Sequence, residues 1–239
     1  MIIIALLLMC CGIASAQEYS EFHGTWIHSD VVQVLNETRS IERALAARPL
    51  SEPIYVVIDS TKDNGDVAVS YKLGSTQALL CRKSSFKHAG IKWGVGDATG
   101  PRWILTRDEK DGAYIALTLV DSLEQEPIVF GKLPSKNLDP MFIIRRMVNA
   151  SMLSGRWTIE GGKTVEFTTN QIMVIDNKSN PYTLDISEDG SVVTLITTSG
   201  RPQTWKVRRD GPNLVLSSQQ KGKGRLLPGQ TTRLRYVGK

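Results

Sequence analysis

The side chains with the most chemistry in them are three histidines, one internal cysteine and a few turn carboxylates. His23 and His28 stand five residues apart with Asp30 following, a set from which a three-ligand metal site can be drawn. Metal centres need three or four ligands converging on one point, yet residues five apart on a strand face opposite sides, so no metal is expected. His88 in "SSFKHAGIKW" has Ser84, Ser85 and Asp97 nearby, the residue types of a nucleophile, a base and an orienting acid. Such a set is defined by spatial roles rather than by nearness along the chain, and a mobile loop accounts for the same residues. Asp108, Glu109 and Asp111 share one turn, and Glu124 and Glu126 flank another before Pro127. Turns attract these types for local hydrogen bonding, whereas an acid and base pair needs carboxyls held ~5–10 Å apart in a cleft. The Gly-rich "WGVGDATG" at 93–100 lacks the Gly-Lys-Ser/Thr of a phosphate loop and no helix follows it, so it reads as a lid or long hairpin loop. Cys81 in "QALLCRK" has Arg82 and Lys83 beside it. Neighbouring cations lower a thiol's pKa, but a free cysteine more often serves as a small buried hydrophobe. No catalytic set assembles, so the expectation is a protein that is not an enzyme and carries no cofactor.

Export is the expectation from the first residues. "MIIIALLLMCCGIASA" is an apolar run ending in Ala14-Ser15-Ala16, the small-x-small pattern of a signal-peptide cleavage site before Gln17. Residues 1–16 are therefore read as a signal peptide and the mature chain as periplasmic or secreted, with a lipid anchor at Cys10 or Cys11 as the alternative. The run is shorter than the ~20 residues that cross a bilayer, and no transmembrane segment is expected in the mature chain. Cys81 would be its single cysteine, so packing and not a disulfide must stabilise it. The net charge is +5, with basic residues gathered late in "KVRRDG", "KGKGR" and "RLR". No stacking aromatics interleave them as in single-strand binders, so nucleic acid is not expected as a partner and a solvated basic rim is. Three Asn-x-Ser/Thr sequons stand at Asn36, Asn149 and Asn177.

The elements that must position these residues are mostly strands. "IYVVIDS", "DVAVSYKLG", "QALLCRK", "RWILTRD", "AYIALTLVD" and "PIVFGKL" alternate with period two between residues 54 and 133. Asn-Gly in "KDNGD" and Asp-Gly in "RDEKDGA", "SEDGS" and "RRDGPN" mark hairpins. After Trp157 a further seven or so short strands follow, with turns every ~8–12 residues, as in a sandwich or barrel. Two passages break the pattern. "DVVQVLNETRSIERALAARPL" at 30–50 has a 3.6-residue apolar period, with Ser29 or Asp30 to cap it and Arg48-Pro49 to stop it. "PSKNLDPMFIIRRMVNASMLSG" at 134–155 places Pro140 at a first helical position between two strand-rich halves.

The halves begin alike. "EFHGTW" at 21–26 and "MLSGRW" at 152–157 each carry Gly-x-Trp at the head of a meander, at Gly24 and Trp26 and at Gly155 and Trp157. A short motif recurring together with its strand pattern is the mark of a tandem duplication. The expected domains are 17–133, a helical linker at 134–151, and a smaller unit at 152–239.

With Gly-x-Trp at their heads, the units resemble small bacterial lipocalin-like domains of the calycin type, which open Leu-x-Gly-x-Trp. The resemblance implies a mainly β fold of two consecutive up-and-down barrels, with a short helix in the first. It also implies that each Trp plugs one barrel end beneath an Arg of the last strand. Carried over, Trp157 would meet Arg233 or Arg235 in "TTRLRYVGK", while the first unit's "PIVFGKLP" offers Lys132 and no Arg. Neither unit carries the Thr-Asp-x-x-Tyr stretch of many lipocalins. The function implied is binding, of a small apolar ligand or of a protein partner in the envelope. A structural or interaction protein with solid barrels is the alternative. The larger first unit, with Trp93, Trp103, Tyr114 and the helix at 30–47 as a lid, is where a ligand is expected. On that reading Trp103→Ala weakens binding more than Trp205→Ala.

Overall fold

Alternation along the chain becomes two closed antiparallel barrels of eight strands each, every strand paired with its sequence neighbours. The structure, a computed structural model, describes residues 20–61, 66–87, 90–107, 112–120, 126–133, 139–159, 162–222 and 225–238. The proposed signal segment, the Asn-Gly turn, His88, Asp108, Glu109, Asp111 and Glu124 lie outside them.

The first barrel is built from β1 (Gly24–His28), β2 (Tyr55–Asp59), β3 (Asp66–Lys72), β4 (Ser75–Phe86), β5 (Gly90–Asp97), β6 (Gly100–Arg107), β7 (Tyr114–Leu119) and β8 (Ile128–Lys132), with β1 closing on β8. Its inward positions alternate as the pattern requires. In β7, Ile115 and Leu117 are buried while Tyr114 is exposed. Trp26, Val56, Val69, Cys81, Trp103 and Phe130 are among the residues of one continuous core. Cys81 is thus a packed hydrophobe in this core. β5 corrects the reading of 93–100 as a lid or long loop, for these residues form a strand and a tight hairpin into β6. Asp97 closes that turn by accepting hydrogen bonds from Thr99 N and Oγ1 at 2.8 and 2.5 Å. Gly94 and Gly96 hide the strand in the sequence because glycine has low strand propensity. They are there for close approach: a Cβ at Gly96 would lie 2.0 Å from Gly100 O.

The second barrel comprises β9 (Gly155–Ile159), β10 (Thr164–Phe167), β11 (Ile172–Ile175), β12 (Lys178–Ile186), β13 (Val193–Thr197), β14 (Thr204–Asp210), β15 (Asn213–Gly222) and β16 (Arg225–Gly238), with β16 returning to β9. Its core holds Trp157, Phe167, Leu184, Leu195, Leu214 and Leu234.

The passage at 30–50 forms two helices, α1 (Ser29–Thr38) and α2 (Ile41–Ala46), rather than one. Arg39 between them has φ +52°, which breaks the helical run, and Ser40 starts the second helix by accepting from Arg43 N. By its contacts, segment 30–50 groups with the second barrel and not with the first, in whose sequence it lies. Ser151 Oγ donates to Asn36 Oδ1 at 3.1 Å, and a Cβ on Gly190 would meet Leu45 Cδ1 at 2.9 Å. The second passage is α3 (Pro140–Val148), running into one π-helical turn at Asn149–Leu153 that Ser154 N closes on Asn149 O.

The Gly-x-Trp motif has the same structure in both barrels. Trp26 and Trp157 are buried, and each indole N–H donates to the carbonyl four residues back, Phe22 O at 2.8 Å and Leu153 O at 2.7 Å. Gly24 and Gly155 sit at φ +142° and +131°, conformations that a Cβ strains. Room differs between them. A Cβ at Gly155 would lie 2.7 Å from the Tyr236 ring and 3.0 Å from Gly238 O, whereas at Gly24 its nearest neighbour is the flexible Lys132 side chain at 3.2 Å. Gly155→Ala is expected to cost about 2–3 kcal/mol and Gly24→Ala about 1–2 kcal/mol. Urea unfolding of the two variants checks the order.

Candidate functional site

Each barrel end is set by what stands over its tryptophan. Register places Lys132 directly opposite Trp26, and Lys132 Nζ lies 5.1 Å from the indole centroid. In the second barrel the equivalent position is Tyr236, which packs edge-on against Trp157 at 5.1 Å. The cation over Trp157 is Arg209 of β14, at 4.7 Å. This corrects the assignment to Arg233 or Arg235. Both are exposed on the outer face of β16, where Arg233 pairs with Asp210 at 3.1 Å, while Leu234 and Tyr236 take the inner face. Arg209 instead lies directly across from buried Leu214. The sequence pattern alone places it within a solvated basic rim.

The Trp157 end of the second barrel is closed further by Asn149, which is fully buried. Its Nδ2 donates to Thr168 O at 2.9 Å and Thr169 O at 3.3 Å, and its Oδ1 accepts from Tyr182 Oη. Burial pushes the Tyr182 phenol well above its ordinary range. The sequon at Asn149 is therefore structural in the fold, its amide being committed to three hydrogen bonds.

At the opposite end the interior is open. β9 to β16 surround a cavity of about 350 Å³ whose walls are Ile159, Val165, Met173, Ile175, Leu216 and Leu234, with the half-buried Trp205 across from Leu195. Polar side chains gather at its mouth: Asn180, Thr197, Ser199, Arg201, Gln203 and Thr232. The β13–β14 hairpin that carries Arg201 is pinned, for Thr197 Oγ1 accepts from Gln203 N at 2.9 Å and Thr197 N donates to Gln203 O at 3.0 Å. An apolar well with a few convergent polar groups is the usual form of a small-molecule site.

Residues expected to bind in the first barrel do not converge in the same way. Trp103 is a core residue, 2% exposed, with the Arg102 guanidinium 4.6 Å from its ring. Trp93 is half-buried on the same inner side, under Lys83 Nζ at 5.4 Å. Tyr114 lies on the outer face, 42% exposed and covering Gly131. The histidines part as well. His28 is buried, bonded through Nε2 to Glu52 at 3.0 Å, whereas His23 Nδ1 accepts from Ser60 N at 3.3 Å. Among the described residues no group of three His, Cys, Asp or Glu side chains is placed to hold a metal, and no helix is long and apolar enough to cross a membrane.

Fold and site together define a tandem of two eight-stranded up-and-down barrels, the second open at one end. Compared with family profiles, curated proteins and solved structures, the chain matches none.

Proposed function

We propose that the chain is an exported, non-enzymatic binding protein of lipocalin-like type that takes one small ligand into its second barrel. The observation that carries this reading is the apolar well of about 350 Å³ ringed by Asn180, Arg201 and Gln203. The ligand has an apolar body for the Met173, Leu216 and Trp205 surface. It has a polar or anionic end for the mouth, where Arg201 presents a forked donor set suited to a carboxylate. Export rests on the apolar run and Ala14-Ser15-Ala16 at the start of the sequence. Gly-x-Trp at the head of two closed eight-stranded barrels supports the likeness to lipocalins.

The site moves the expected mutational response from the first barrel to the second. Octanoate, an apolar chain with one carboxylate, is the probe. Titrated against intrinsic fluorescence, it is expected to bind saturably, about tenfold more weakly to Trp205→Ala and with no change for Trp93→Ala; tenfold is ~1.4 kcal/mol. Equal weakening by the two substitutions would put the ligand elsewhere.

A second reading, an interaction protein of the cell envelope, is favoured by the first barrel's packed interior of Trp26, Trp103 and Phe130. That barrel then acts as a solid module and the second as a binding one.

A further inference from the structure

The Trp157 end of the second barrel holds a second cavity of about 350 Å³, roofed by residues 38–43 and floored by the β12–β13 and β14–β15 hairpins. Four guanidinium groups line it, Arg39, Arg43, Arg208 and Arg209, against one carboxylate, Glu42. The neighbouring acids are already engaged: Asp210 pairs with Arg233, and Asp189 accepts from Ser187 Oγ, Ser191 Oγ and Ser191 N. Arg39 lies over the Tyr236 ring at 5.9 Å, and Arg209 lies over Trp157. The decisive feature is in Arg209. Its Nε and Nη1 are shielded from solvent and have no hydrogen-bond partner.

A buried donor without an acceptor is costly, the more so when it is charged. Stacking on an indole face satisfies the guanidinium's plane but not its edge, where the N–H groups point. Burial, and then the charge of Arg39, push the Arg209 guanidinium below its ordinary range. Ser40 adds a further donor, since its Oγ accepts from Arg43 N and its proton remains to give.

We propose that this cavity binds a tetrahedral oxyanion, a phosphate or sulfate group free or carried on a small solute, held by Arg209 and Arg39 with Arg208 and Ser40 at its rim. Several guanidinium forks around one small space match the multiple acceptor oxygens of such a group. The site lies at the other end of the barrel from the apolar well and is independent of it.

The test is an NMR titration of the ¹⁵N-labelled full chain with inorganic phosphate at constant ionic strength, following arginine Nε–Hε signals. Saturable shifts are expected at Arg39 and Arg209. Arg39→Gln, an exposed position, should weaken binding at least tenfold while keeping a dispersed amide spectrum, and Arg235→Gln should leave it unchanged. Glycerol 3-phosphate should compete. Shifts that do not saturate, or that are equal at Arg233 and Arg235, would mean general screening and overturn the site, as would full affinity in Arg39→Gln. Retention on phosphatidic acid vesicles with no response to either soluble anion would also contradict it.

Discussion

Replacing Trp157 by alanine is expected to cost the second barrel about 3–5 kcal/mol, a large part of the ~5–15 kcal/mol that holds a domain folded. Three losses add. The ring is 1% exposed, so its removal leaves a cavity at the barrel end. Leu153 O loses the indole N–H that reaches it at 2.7 Å. Arg209 and Tyr236, which pack on the ring at 4.7 and 5.1 Å, lose their common surface, and the guanidinium is left half-buried beside a void. Trp157→Phe keeps most of the apolar contact and gives up the hydrogen bond and the larger face, so about 1–2 kcal/mol is expected. Urea unfolding followed by far-ultraviolet circular dichroism measures both. A cost below about 1 kcal/mol for the alanine variant would show that the plug does not organise this end.

Asn149→Ala should be nearly as severe, at about 2–4 kcal/mol, although it removes only an amide. The cost comes from what remains. Thr168 O and Thr169 O lose a donor, and the Tyr182 hydroxyl is left without the carbonyl it donates to, in a place where burial already disfavours its charged form. A hydrogen-bonded group is harmless to bury, whereas the same group unpaired is not. Adding Tyr182→Phe to Asn149→Ala should therefore recover part of the loss, a coupling of roughly 1 kcal/mol in a double-mutant cycle. Strict additivity would mean that the two side chains act separately.

How much of this was legible in the sequence depended on whether the signal was local. Strands with clean alternation, such as "AYIALTLVD" at 113–121, declared both their existence and their inner face. The duplication could be read from Gly-x-Trp recurring at the head of each meander, whereas the carbonyls that the indoles find, Phe22 O and Leu153 O, carry no mark in residue type. β5 could not be read, because Gly94 and Gly96 serve neighbouring backbone rather than the pleat. The split of the helix at Arg39 was hidden for a similar reason: the apolar period runs on through a residue whose backbone is left-handed.

Long-range register was the larger obstacle. Which cation caps Trp157 depends on how β9 closes on β16 and on where β14 ends across the barrel, and nothing near "LSGRW" specifies Arg209. The apolar well is equally non-local. It exists because Ile159, Met173, Trp205 and Leu216 come from different strands and do not fill the end they surround. Large aromatics suggested a roomy first barrel, yet Trp103 fills its core, Trp93 packs against that core and Tyr114 lies on the outer face.

The central claim, that the second barrel carries a small ligand, is tested most directly by native mass spectrometry of residues 17–239 purified from their own host without added ligand. The account predicts a mass above the polypeptide by one small molecule per chain, lost on solvent extraction and reduced in a Trp205→Ala chain prepared in the same way. The bare polypeptide mass under gentle ionisation, in both preparations, would contradict it.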